Sequence, residues 1–156
     1  MIAVITADLV DSSNYSESFL DEILKNLNSE FEKLQQDYAE NEIDFEIYRG
    51  DSFQGIISKY QDSLKIALRI KSLINKVKSK DQKTSSSLAD VKIAIGIGTF
   101  DYKGDSIAES NGQAFQLSGR TLDEMKNDSR KIRLKTPLES LNSEFEASLF
   151  LLNMVI

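Results

Sequence analysis

The chain has 156 residues, 40% of them hydrophobic and 28% charged, with a net charge of −6, which fits one soluble domain around one core and disfavours nucleic acid as a partner. It contains no cysteine and no histidine, which excludes disulfides, thiolate nucleophiles, Ser–His triads and the zinc or copper sites that depend on sulfur or imidazole. Carboxylate chemistry and hard, oxygen-bound cations such as Mg²⁺, Mn²⁺ or Ca²⁺ remain, and no apolar run approaches the roughly 18 residues of a membrane span.

Ile2–Leu9 is apolar nearly throughout, which predicts a central strand covered on both faces. No basic region precedes it and an acid follows soon, so it is not a signal peptide, and a cytoplasmic protein is expected. Residues 11–18 offer several helix caps. Leu20, Ile23, Leu24, Leu27, Phe31, Leu34 and Tyr38 then recur at the spacing of one helical face. Phe45, Ile47, Phe53, Ile56 and Ile57 flank Arg49-Gly50-Asp51, the pattern of a hairpin with a tight Gly turn. A second helix carries Leu64, Ala67, Leu68, Lys71, Ile74 and Val77 and fades into a Lys/Ser-rich loop over 78–87.

Val91, Ile93, Ile95 and Ile97 alternate with Lys92, Ala94, Gly96 and Gly98, predicting a strand with one bulky face and one bare one. The glycines there serve close helix packing more commonly than ligand approach. A loop over 101–111 leads into a third helix from about 112 to 126. Residues 131–135 alternate charged and apolar like an edge strand. Pro137 opens a last helix with Leu138, Leu141, Phe145, Leu149 and Leu152 on its inner face. The apolar end, 149–156, reads as a docked helix or as the cut edge of a longer protein. Lys126, Arg130, Lys131, Arg133 and Lys135 form one basic cluster, without interleaved aromatics, that reads as a solvated edge.

The order β-α-β-β-α-β predicts an α+β, ferredoxin-like split βαβ fold with an αβα extension. In that topology the first and third strands are antiparallel neighbours, so Asp8 at the end of one and Asp51 before the other converge at one edge of the sheet. Converging carboxylates repel unless a proton or cation intervenes. The alternative is that each is an ordinary turn residue.

Four segments resemble the motifs of class III nucleotide cyclases: Asp8-Leu9-Val10-Asp11-Ser12-Ser13, Arg49-Gly50-Asp51-Ser52-Phe53, the strand Lys92 to Gly98, and Gly112-Gln113-Ala114-Phe115-Gln116-Leu117-Ser118-Gly119-Arg120. The opening Ala3-Val4-Ile5-Thr6-Ala7-Asp8 is also similar to the start of SatD-family bacterial proteins. The resemblance implies a nucleoside triphosphate held through Mg²⁺ or Mn²⁺ by Asp8 and Asp51. The backbone of Leu9, Val10, Asp11, Ser12 and Ser13 would meet the phosphates. Gln116 falls at a ribose-orienting position, Arg120 at one that stabilises charge developing on phosphate, and Glu109 at one that reads adenine. In cyclases the ribose and charge-stabilising residues come from the opposite subunit, which implies a head-to-tail homodimer. On its own pattern Arg120 is a surface salt-bridge partner, and Glu109 a loop acid.

Three positions depart from the cyclase pattern: Gln116 stands for Asn, Asp11 for Gly, and Ile47 for a purine-reading Lys. They favour a nucleotide-binding, sensory or regulatory domain with weak or no turnover. An active cyclase or nucleotidyl transferase, and a degenerate dimerisation or docking scaffold, are the alternatives.

Overall fold

The computed structural model describes residues 1–80, 88–101 and 104–156. Its main elements are β1 (Ile2–Leu9), α1 (Glu17–Asp37), β2 (Ile43–Tyr48), β3 (Ser52–Ile57), α2 (Ser63–Lys76), β4 (Val91–Gly98), α3 (Gln113–Glu124), β5 (Ile132–Lys135) and α4 (Glu139–Asn153). The strands form one sheet in the order β2-β3-β1-β4-β5, antiparallel except for the β4–β5 pair. This is the expected split βαβ sheet with β1 at its centre, extended by α3, β5 and α4.

The period-2 pattern of the strands decides the layers. Ala3, Ile5, Ala7 and Leu9 of β1 and the bulky face of β4 join Phe53 and Ile57 in one core, closed by the apolar stripes of α1 and α2. Ser16 caps α1 by accepting from the Phe19 amide. The opposite face of β1 and β4 is covered by α3, through Ile2 and Val4 against Ala114, and Ala94 against Leu122 and Met125. The bare side of β4 makes this approach possible: a Cβ on Gly96 would lie 2.2 Å from the Ala114 carbonyl oxygen and 2.5 Å from the Ser118 nitrogen. Helix packing is thus what the glycine does here. Asp8 and Thr6 point to the α3 side, where the Thr6 and Ser118 hydroxyls share a buried hydrogen bond of 2.8 Å.

Two expectations for the C-terminal part change. The third helix ends at Glu124, followed by a 3₁₀ turn at Met125–Asn127. In α4, Pro137 precedes the cap residue Leu138 rather than opening the helix, and Leu138 and Leu141 are exposed. The inner face carries Phe145, Leu149 and Leu152 as expected, joined by Asn142. Polar groups set this rotation. Asn142 exchanges hydrogen bonds with the Thr136 backbone, and Asn153 accepts from the Lys131 and Ile132 amides. Two asparagines therefore clip α4 to the edge strand β5. The expected loop over 78–87 lies partly outside the described residues. No helix among the described residues is long and apolar enough to cross a membrane.

Candidate functional site

Asp8, near the end of β1, is paired in register with Ser52 of β3 on one side and Lys92 of β4 on the other. The β2–β3 connection brings Asp51 to the same place, because the Leu9 amide donates to the Asp51 carbonyl at 2.9 Å. Arg49 and Gly50 make that tight turn with positive φ angles of 56° and 75°, the conformation that a short hairpin connection demands. The two carboxylates meet at one hydroxyl. Ser52 Oγ lies 2.5 Å from Asp8 Oδ1 and 3.3 Å from Asp51 Oδ1. Ser12 donates to the other oxygen of Asp51 at 2.8 Å.

The segment after β1 turns sharply. Asp11 takes a left-handed conformation, φ 52° and ψ 32°, and leads into a 3₁₀ turn at Ser12–Asn14. This explains the expected glycine: the position needs a positive φ, which Asp tolerates better than most side chains. The amides of Asp11, Ser12 and Ser13 have no acceptor among the described residues, whereas Asn14 and Tyr15 donate back to Asp11 and Ser12. Val10 is held from both sides, its amide by the Asp90 carbonyl at 2.9 Å and its carbonyl by the Tyr15 hydroxyl at 2.5 Å. Beneath it, burial would raise the Asp90 carboxyl. Hydrogen bonds from the buried Lys71 ammonium, Asn75 and the Val91 amide outweigh that and hold it below the usual carboxylate value.

Gln116 and Arg120 both lie exposed on α3, opposite its buried Ala114, Ser118 and Leu122. Arg120 makes no ion pair among the described residues. Glu109 is exposed in a 3₁₀ turn at Ile107–Glu109. That turn follows the end of β4 that pairs with Ile2, the far end of the sheet from Asp8. Within one chain, then, the acids and the first loop come together, and no hydrogen bond or ion pair joins them to Gln116, Arg120 or Glu109.

Several neighbours of the acids are not evident from motif spacing. The Lys92 ammonium donates to the carbonyls of Met125 at 2.6 Å, Lys126 at 3.2 Å and Asp128 at 2.7 Å, capping the end of α3 beside Asp8. Burial pushes the Tyr48 phenol up; Asp8 adds to the rise and Arg49 opposes it. Strand register is the signal that finds Ser52 and Tyr48, since Tyr48 pairs with Ser52 and Ser52 with Asp8.

A hard cation suits this donor set. Mg²⁺-type ions take one or two carboxylates and complete their shell with water and substrate phosphates. Among the described residues no group of three or more acids could hold a metal by itself, so oxygens from a ligand would have to complete the shell. The basic cluster is neutralised internally: Lys131 pairs with Asp90, Arg130 with Asp128, and Arg133 with Glu124 and Glu146. A cleft of about 660 Å³ between α1 and α2, lined by Glu22, Glu30, Arg69 and Lys76 among others, lies on the opposite side of the sheet from Asp8. It contains none of these site residues.

No protein-family model and no curated protein sequence matches this chain. Solved structures do match. The chain is similar to the monomeric guanylyl cyclase domain of the RhoGC fusion protein from the aquatic fungus Blastocladiella emersonii, at 15% identity and a TM-score of 0.59, over 94% of this chain and 85% of that one. The active GGEEF domain of a diguanylate cyclase from Vibrio cholerae aligns at 14% identity and a TM-score of 0.56, over 86% and 81%. The catalytic core of a rhodopsin-guanylyl cyclase of converted specificity, in complex with ATPalphaS, aligns at 18% and 0.53, over 76% and 69%. The fold is that of nucleotide cyclase catalytic domains.

Proposed function

We propose that this domain binds a nucleoside triphosphate through a Mg²⁺ or Mn²⁺ ion held by Asp8 and Asp51, as a sensory or regulatory module with weak or no turnover. The observation that carries this reading is the meeting of the two carboxylates at the Ser52 hydroxyl, where a divalent ion offsets their repulsion. The amides of Asp11, Ser12 and Ser13, which have no acceptor among the described residues, support phosphate contacts from the same loop. The shared fold supports it too, since one of the similar structures is a complex with ATPalphaS. The SatD-like opening fits the same assignment, with Asp8 as its last residue.

Gln116, Arg120 and Glu109 belong, in this reading, to a second site half, completed by a head-to-tail homodimer. Arg120, exposed and without an ion pair among the described residues, favours that arrangement over a surface role. It also supports the second reading, an active cyclase or nucleotidyl transferase, in which Arg120 stabilises charge developing on phosphate. Gln116, one methylene longer than Asn, weighs against efficient chemistry, because a misplacement of about 1 Å is costly. Calorimetric titration with ATP and with GTP, each in Mn²⁺ and in EDTA, tests the proposal. Saturable binding in Mn²⁺ that vanishes in EDTA is expected; no binding of either nucleotide contradicts it. Cyclic or linked nucleotide products in the same mixture would promote the second reading.

A further inference from the structure

A triphosphate brings up to about four negative charges to a rim that already carries Asp8, Asp11 and Asp51, and one divalent ion does not balance them. Cations within reach are therefore required. One row of paired residues runs across the sheet at this level: Tyr48 of β2, Ser52 of β3, Asp8 of β1 and Lys92 of β4. Its ends are three strand spacings, about 14 Å, apart, and a cation stands at each.

At one end Arg49 follows Tyr48. It is exposed, and it makes no ion pair or side-chain hydrogen bond among the described residues. Its φ of 56° belongs to the left-handed region, where glycine or asparagine would sit with less strain. A strained position occupied by a long cation, two residues before Asp51, points to a use for that side chain. At the other end Lys92 spends its ammonium on the carbonyls of Met125, Lys126 and Asp128. It thereby fixes the end of α3 against β4 and leaves Lys126 as the projecting charge. The Lys126 side chain is 64% exposed, and its partner is Asp123 at 3.0 Å, itself 72% exposed. Such a pair is weak and easily exchanged for a stronger anion. Asp123 holds the Lys126 ammonium above the ordinary lysine value; Asp8 adds to that and Arg49 opposes it.

We propose that Arg49 and Lys126 bind the polyphosphate, closing on it from the two sides of Asp8 within a single subunit. The inference rests on the triphosphate reading above and adds to it the residues that neutralise the phosphate chain. It also makes phosphate binding independent of the second subunit, whatever Arg120 contributes from across a dimer.

The experiment is a calorimetric titration of inorganic tripolyphosphate in Mn²⁺ into wild type, Arg49→Gln, Lys126→Met, Asp51→Ala and the control Lys25→Met, an exposed lysine on α1. Tripolyphosphate has no base or sugar, so it reports on the phosphate contacts alone. Arg49→Gln and Lys126→Met are each expected to weaken binding about tenfold, the scale of one charge-assisted hydrogen bond. Their melting temperatures should stay at the wild-type value, and Lys25→Met should bind like wild type. Wild-type affinity in both variants, with binding still lost in Asp51→Ala, overturns the inference and leaves the triphosphate reading intact. An equal loss in Lys25→Met overturns it as well, because the effect is then one of overall charge. Failure of wild type to bind either tripolyphosphate or ATP removes both readings.

Discussion

Asp11 combines a strained backbone, which bears on stability, with a charge that bears on ligand binding. Its left-handed backbone, φ 52°, is one that glycine adopts without strain. Its carboxylate stands in the loop whose amides face the proposed phosphates. Replacing Asp11 with Gly relieves the conformational strain but loosens the unfolded chain by a comparable amount, so stability should change by less than about 1 kcal/mol. Affinity for Mn²⁺-ATP should rise several-fold, because a repelling charge is removed; calorimetry on the variant checks this, and unchanged or weaker affinity would place the phosphates elsewhere. At this scale the convergence of Asp8 and Asp51 was legible in the sequence, since topology alone brings them together. Ser52 and Ser12, which bind those carboxylates through their hydroxyls, were not legible as partners. Serine is common in turns, and only the strand register distinguishes these two.

At the scale of elements, the loop after β1 owes its position to groups outside the motif. Val10 is tied to Asp90 and Tyr15, and Asp90 is tied to Lys71 of α2. The Asp90 carboxyl, held below its ordinary value of 3.8 despite burial, stabilises the fold at pH values above that number. Its contribution is lost as pH falls through the lower, folded-state value. Wild type should therefore lose melting temperature from about pH 4 downward. Asp90→Asn should melt lower at neutral pH and show a shallower acid slope; melting curves between pH 2.5 and 7 decide it, and parallel curves would contradict the pairing. Lys71 was read from its spacing as part of an apolar helix face. It does face inward, as a buried cation with a carboxylate to meet. The last helix shows the converse limit. Its spacing placed Phe145, Leu149 and Leu152 on the inner face but also Leu138 and Leu141, which are exposed, because Asn142 and Asn153 fix its rotation by hydrogen bonding beside β5 and hydrophobic spacing carries no record of that.

For the whole molecule, the strand and helix order was legible because each main element keeps one clear period, and the resulting sheet order follows from the split βαβ connection. The fold is shared with nucleotide cyclase domains at identities between 14% and 18% among the three described above, a level at which packing persists while site chemistry is free to change. Asp8, Asp51 and the first loop come together within one chain. Gln116, Arg120 and Glu109 were legible only as positions, and no hydrogen bond or ion pair among the described residues joins them to the two acids. The central claim is that the carboxylate pair is the metal-dependent anchor for nucleotide. It is tested most directly by the thermal shift that ATP or GTP with Mn²⁺ produces in wild type and in Asp51→Ala. At 100 times its dissociation constant a ligand specific for the native state adds about 2.7 kcal/mol of stability. The account predicts a clear rise in melting temperature for wild type that requires Mn²⁺ and is absent in an otherwise folded Asp51→Ala; an equal rise in the variant, or none in wild type, would contradict it.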